Sequence, residues 1–325
     1  MQDTNSLKPE EAPSLSVVMG NYNHARFLPR AIESITNQTM AADEFLIVDD
    51  ASTDNSVEVI ESYAARFPNI KLYRNESNLG VIKTYQKLFE LARCTYIHPL
   101  AADDERCERF IALAMQMARR FPEAGLIFGD MEILNEAGDV EGHASAGVWS
   151  EALYATPERY LSEYMLYEKP SHSLVGAAVF RRKSFLDVGW YQEELGSWGD
   201  TFSFHAVALK HGACYVPETF AKWHKQRASY SQQTHSDPRK TLDMIARAAR
   251  LMRSDRFHDR FPESFVREWS KRYRWQVAKE YWRGDNLGDV RQGASFWKRY
   301  CYRLLRTAKA ISLLWRSSDS SAASS

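Results

Sequence analysis

Residues 45–54 read FLIVDDASTD. Four apolar residues in a row suit a strand buried on both faces, and the Asp49-Asp50-Ala51-Ser52-Thr53-Asp54 run that follows is rich in residues that start helices. The same theme repeats on either side. LSVVM at 15–19 reads as a buried strand and leads into a helix over 25–38, with Phe27, Leu28, Ala31, Ile32 and Ile35 on one face. After 45–48 a helix runs to Phe67, Pro68-Asn69 breaks it, and IKLY at 70–73 gives a third strand. Asn78-Leu79-Gly80 turns the chain into a helix ending near Ala92, TYIHPL at 95–100 is a fourth strand, and a helix over 105–120 precedes a strand at 126–128.

Short apolar strands alternating with helices predict an α/β fold with a mixed, largely parallel sheet covered on both faces. Ligands of such sheets sit beyond the carboxyl ends of the strands. Acidic residues stand at those ends: Asp49 and Asp50 after the second strand, Asp103 and Asp104 after the fourth. From 130 to 172 the pattern weakens, and Asn135–Ser150 suggests a loop or hairpin. LVGAAVF at 174–180 is another buried segment, 200–211 reads as a helix, and Cys214-Tyr215-Val216 as a last strand before Pro217. The chain beyond about 238 reads as helical.

The 325 residues are 44% hydrophobic and 26% charged, enough to bury a real core, and the formal net charge is zero. That charge is divided unevenly. Residues 236–325 hold 20 Lys and Arg against 10 Asp and Glu, so residues 1–235 carry the opposite excess. The acidic front argues against nucleic acid as partner, though not against a nucleotide bridged by a metal. Cys94, Cys107, Cys214 and Cys301 form no C-x-x-C pair and read as reduced thiols. The first 13 residues lack the apolar core of an export signal, and no apolar run is long enough to span a bilayer.

Adjacent carboxylates repel, and a cluster of them calls for a cation or hydrogen-bond donors. Oxygen-rich clusters suit Mg²⁺ or Mn²⁺, although the same aspartates also suit helix caps. Their common place on one sheet edge favours a metal-nucleotide site.

Four blocks, LSVVMGNYNHARFLPRAIESITNQT, EFLIVDDASTDNS, NLGVIKTYQKLFELA and YIHPLAADDE, together resemble the family 2 glycosyltransferases of GT-A fold, over roughly residues 14–130 with a fainter match to about 230. The resemblance implies an inverting, nucleotide-sugar-dependent transferase with a divalent cation. It implies that Tyr22 lies against the base, that Asp50 hydrogen-bonds a uracil imide, and that Lys83 lies near the donor. Asp104 would hold the metal directly, and Asp103 would reach ribose or donor sugar as well as the metal site. Asp200, in GSWGDTFSF, matches the segment that bears the general base; capping the helix that follows is the plainer reading. His224 stands where a basic or histidine residue lies close to the diphosphate or metal, and Trp190 and Trp198 flank the base segment as candidate sugar-stacking aromatics. The chain departs from the family in two places: Gly20-Asn21 replaces a Pro-Thr-like pair, and the acidic motif reads Ala-Ala-Asp-Asp without a third spaced carboxylate.

The expected organisation is a polar N-terminus (1–13), a GT-A domain (14–235), a helical region (236–316) and a polar tail (317–325). Residues 296–315 are amphipathic at a helical period, with Trp297, Tyr300, Leu304, Ile311 and Trp315 opposite a basic face. Packing on the protein and docking on a membrane surface both fit that helix. The donor would be a nucleotide sugar, UDP-linked through Asp50, and the acceptor a glycan or lipid-linked hydroxyl, as in polysaccharide assembly at the cytoplasmic side of a membrane. Two rivals stand beside this: an inactive carbohydrate- or partner-binding module, and a sugar-phosphate nucleotidyltransferase. The latter wants a Gly-rich basic loop that Gly20–His24 does not supply.

Overall fold

The computed structural model describes residues 12–166, 172–226 and 237–283. The first half alternates as the apolar runs require: β1 (Leu15–Asn21), α1 (Leu28–Thr36), β2 (Glu44–Asp49), α2 (Ser56–Ala64), β3 (Ile70–Arg74), α3 (Val81–Leu91) and β4 (Tyr96–Ala101). Then come β5 (Glu105–Arg106), α4 (Phe110–Arg120), β6 (Leu126–Leu134), β7 (Val140–Ala144) and β8 (Leu153–Ala155). A short α5 (Pro157–Arg159) passes into a π-helical turn at Tyr160–Met165. A 3-10 stretch (His172–Ala177) leads into β9 (Ala178–Arg181), followed by α6 (Arg182–Asp187), α7 (Gly199–His211) and β10 (Ala213–His224). Two further helices follow among the described residues, α8 (Pro238–Met252) and α9 (Glu263–Arg283).

All ten strands form one sheet, with the path β3-β2-β1-β4-β9-β6-β10-β5. The four strands β3, β2, β1 and β4 are parallel. Antiparallel β9 is inserted between β4 and β6, and β10 runs parallel to β6. Every residue of β2 is buried, as is every residue of β1 except Gly20, because helices cover both faces. The register pairs Asn21 with Asp49 and Gly20 with Ala101, so β1, β2 and β4 end at one edge.

Two expectations are corrected. The helix expected from Glu105 starts at Phe110, because Glu105 and Arg106 pair with Lys222 and Ala221 of β10 and the Cys107 N–H donates to the Phe220 carbonyl at 3.0 Å. The strand expected to stop at Pro217 continues to His224. Register shifts between Val216 and Ala221 absorb a proline that cannot donate to the ladder. Of the loop or hairpin expected over Asn135–Ser150, the structure shows the hairpin: β6 extends to Leu134, Asn135 Oδ1 accepts from the Ala137 and Asp139 N–H groups, and β7 returns.

The chain divides into two compact units, Met1–Glu193 with Gly199–Gln226, and Glu194–Trp198 with Arg227–Ser325. In the second unit, Asp237 caps α8 by accepting the Arg239 N–H at 2.9 Å, and Met244, Ile245, Ala248 and Met252 are buried. Trp269 of α9 is buried too, its ring 4.8 Å from that of Trp198. Among the described residues no helix is long and apolar enough to cross a membrane. The amphipathic stretch 296–315 and the tail from 317 lie outside the described residues.

Candidate active site

The edge formed by the ends of β1, β2 and β4 carries the site. The turns after β1 and β2 are stapled by side chains. Asn21 Nδ2 donates to Asp49 Oδ1 at 2.8 Å and to Ser52 Oγ at 3.1 Å, and Asn23 Oδ1 accepts the Thr53 N–H at 2.7 Å. Two residues take left-handed backbone here, Asn23 at φ 55° and Ala51 at φ 61°. Asparagine tolerates that region; alanine does so at a cost. Gly20 lies tight against α3: a Cβ would stand 3.2 Å from Thr84 Cγ2 and 3.4 Å from the Tyr85 ring, so those side chains would have to shift by a few tenths of an ångström. Close seating of α3 against β1 thus gives a physical reason for the departure at Gly20.

Tyr22 projects from this edge, 44% exposed. Asp50 is buried, 3% exposed, and organises the neighbouring turn: Oδ1 accepts from Asn75 Nδ2 at 2.7 Å and the Leu79 N–H at 2.8 Å, and Oδ2 from the Gly80 N–H at 2.9 Å. A carboxylate has about four acceptor positions, so one remains for a further donor. Lys83, in the first turn of α3, is largely exposed and stands 3.9 Å from Glu193.

The acidic motif lies between β4 and β5. Asp104 is 6% exposed, and its Oδ1 accepts the His224 N–H at 3.1 Å. Burial first and the neighbouring Asp103 charge second push its carboxyl up to about 7. The His224 imidazole meets the neighbouring acid, its Nε2 standing 2.6 Å from Glu105 Oε1. Arg30 of α1 joins the same network, Nη2 donating to the Asp103 carbonyl at 2.8 Å and Nε standing 3.2 Å from Glu105 Oε1. Among the described residues no trio of His, Cys, Asp or Glu is assembled for a metal, so Asp103, Asp104 and His224 are not a preformed ligand set. Two adjacent, mutually repelling carboxylates do fit an ion that takes the rest of its oxygens from phosphates and water.

Asp200 lies in the first turn of α7, where it accepts the Thr201 N–H. Burial pushes its carboxyl up to about 6, into the range of a general base. Two buried phenols feel the charges of Asp200 and of the acidic motif. Burial, with the Asp103 and Asp104 charges adding, raises Tyr85; burial, with the Asp200 charge adding, raises Tyr191; and the two rings lie 5.9 Å apart. Trp190, at φ 57°, is half-buried and stacks on Phe89 at 5.4 Å. Trp198 is 8% exposed and packs on Trp269 and Tyr273 in the second unit, so its ring faces are already engaged.

Sequence reasoning missed Arg30, Tyr85, Glu105, Arg106 and Tyr191. Only Arg106 left a readable signal, a cation directly after three acidic residues. Assigning 105–120 to one helix hid it.

The family model of glycosyl transferase family 2 matches residues 16–189. An uncharacterized protein of Mycobacterium tuberculosis, MT1568, is 25% identical over 73% of this chain and 75% of its own. The uncharacterized glycosyltransferase MJ1057 of Methanocaldococcus jannaschii is 33% identical over 40% of this chain and 46% of its own. Among solved structures, S. aureus TarS with UDP-GlcNAc superposes with TM-score 0.61 at 16% identity, over 91% of this chain and 79% of that one. The mannosyltransferase PcManGT of Pyrobaculum calidifontis, with GDP-Man and Mn²⁺, gives 0.57 at 15% identity over 93% and 85%. These likenesses show the GT-A fold.

Proposed function

The chain belongs to glycosyl transferase family 2, and on that premise we propose that it moves a sugar from a nucleotide-diphosphate sugar, UDP-linked, to a hydroxyl of a glycan or lipid-linked acceptor, inverting the anomeric centre with the help of a divalent cation. The observation that carries this reading is the common sheet edge at which the strands leading into Asp50, Asp103 and Asp104 end, with the Asp200 charge felt by Tyr191, whose ring lies 5.9 Å from that of Tyr85.

In this reading Tyr22 lies on the base, and the remaining acceptor position of Asp50 takes the uracil imide N–H. Asp103 reaches ribose or donor sugar, and Asp104 with Asp103 holds Mn²⁺ or Mg²⁺. When bound, that ion neutralises charge on the departing diphosphate. Asp200 accepts the acceptor-hydroxyl proton as its oxygen bonds the anomeric carbon and the bond to the diphosphate breaks. A carboxyl near 6 is ionised at neutral pH, yet basic enough to share that proton in the transition state. Trp190 is retained as a candidate sugar contact on its exposed side; Trp198 is offered as packing for α9. A membrane-peripheral, cytoplasmic setting through residues 296–315 remains part of the proposal.

The test is turnover. The protein is incubated with a panel of UDP-, GDP- and dTDP-sugars, Mn²⁺ and candidate acceptors, and nucleoside diphosphate release and the anomeric configuration of the product are measured. Transfer with inversion from a uridine donor supports the proposal in full. Retention overturns the role of Asp200, and absence of transfer or hydrolysis with every donor favours the inactive binding module.

A further inference from the structure

Two residues after Asp104, at the corner between β4 and β5, the chain buries a cation. Arg106 is 4% exposed, and β5 pairing with Ala221 of β10 fixes its backbone. Its Nε donates to His98 Nε2 at 2.7 Å, and its Nη1 donates to the Glu105 carbonyl at 2.8 Å. His98 is wholly buried on β4, with Nδ1 2.7 Å from the Ala178 carbonyl. A carbonyl only accepts, so Nδ1 carries the proton and Nε2 presents its lone pair to the guanidinium. The imidazole is therefore neutral, and the single positive charge of the pair rests on Arg106, which does not give up its proton in proteins. That charge acts on Asp104 and Asp103, the same two carboxylates that the proposed reading assigns to the metal.

A buried charge costs several kcal/mol unless something nearby offsets it. Neutral His98 and a carbonyl satisfy hydrogen bonds without cancelling charge; Asp104 and Asp103 supply negative charge that favours it. The dependence runs both ways. In the free protein Arg106 lessens the repulsion between Asp103 and Asp104, and it also lowers the attraction these carboxylates exert on any second cation.

We propose that Arg106 is a built-in counter-ion of the Asp103–Asp104 pair, a positioning residue whose fixed charge keeps a divalent cation from settling there until a nucleoside diphosphate brings its own negative charge. Metal and donor then enter as one complex. The inference rests on the donor-site reading above and adds an order of binding to it.

Mn²⁺ binding to the full-length chain, followed by electron paramagnetic resonance at pH 8, tests this without turnover. It is measured alone and with each of UDP, GDP, dTDP and CDP. Wild type should bind Mn²⁺ weakly alone and at least roughly tenfold more tightly with its nucleotide. Arg106→Met should bind Mn²⁺ alone roughly fivefold or more tightly than wild type, while Arg106→Lys, which keeps the charge, stays near wild type. If Arg106→Met does not fold, the paired change Arg106→Leu with His98→Phe removes the charge and its buried partner together. Unchanged or weaker nucleotide-free binding in the charge-less variants, with wild type still binding Mn²⁺ and nucleotide together, overturns the counter-ion inference and leaves the donor site standing. No Mn²⁺ binding by wild type with any nucleotide overturns both.

Discussion

The His224 N–H donates to Asp104 Oδ1 at 3.1 Å, across 120 residues of sequence. It ties the last residue of β10 to the acidic motif after β4. A carboxylate that has lost most of its water thus keeps one fixed donor, and its remaining oxygen can serve a ligand. Asp104→Asn retains a side-chain oxygen for that N–H and removes the repulsion with Asp103. The variant should fold with an unchanged or higher melting temperature and lose at least roughly a hundredfold in turnover. Thermal denaturation and donor turnover on one preparation check both halves.

Glu105 reaches three elements, through His224 of β10, Arg30 of α1 and its own place in β5. Groups that orient a ligand-bearing residue typically change metal or ligand affinity by roughly 10–100-fold when removed. Glu105→Ala should raise the Mn²⁺ and donor KM by about tenfold, with kcat changing less; Glu105→Gln, still an acceptor, should cost less. A fall in kcat alone would place Glu105 at the chemical step instead.

Ala51 holds φ 61° in the turn after Asp50. A left-handed conformation costs an L-residue with a Cβ roughly 1–2 kcal/mol, a cost that glycine does not bear. Ala51→Gly should therefore stabilise the protein by about 1 kcal/mol despite the greater freedom of glycine in the unfolded chain. Equilibrium denaturation measures it, and a destabilised variant would mean the Ala51 methyl contributes packing that outweighs the strain.

Asp200 links pH to both stability and rate. Its folded value, about 6, lies above the ordinary carboxyl value of 3.8 because burial disfavours the charge, so ionising it in the folded state is unfavourable. The stability associated with its neutral form is complete below about 3.8 and is lost as pH rises through about 6. Asp200→Asn removes that loss. It should be more stable than wild type at pH 8 by up to about 3 kcal/mol, with the advantage shrinking toward pH 4. Its turnover should fall by roughly 10²–10⁴, and wild-type kcat/KM should decline on the acid side near pH 6. A variant stable at pH 8 yet fully active would assign Asp200 to capping alone.

The parallel half of the sheet was legible because FLIV carries no polar residue and LSVVM only Ser16, and a strand covered on both faces suits such runs. The aspartates followed from it, since strand order places Asp50 and Asp104 on one edge. Illegible parts were those where distant pairing overrides local preference. Glu105 and Arg106 have good helix propensity, but β10 captures them as strand. β10 passes Pro217 because a bulge accommodates it, and only that extension brings His224 to Asp104. His98 read as a residue of an apolar strand; its bond to Arg106 depends on the corner between β4 and β5, which no period in the sequence encodes.

The most direct measurement is the melting temperature of wild type and Asp104→Asn with UDP, GDP, dTDP and CDP, each with and without Mn²⁺. Ligands that bind only the folded state raise stability by mass action. The expected result is a Mn²⁺-dependent rise of roughly 5 °C or more with one nucleotide, UDP, lost in Asp104→Asn. No shift of folded wild-type protein with any nucleotide would contradict the assignment of this sheet edge as a donor site.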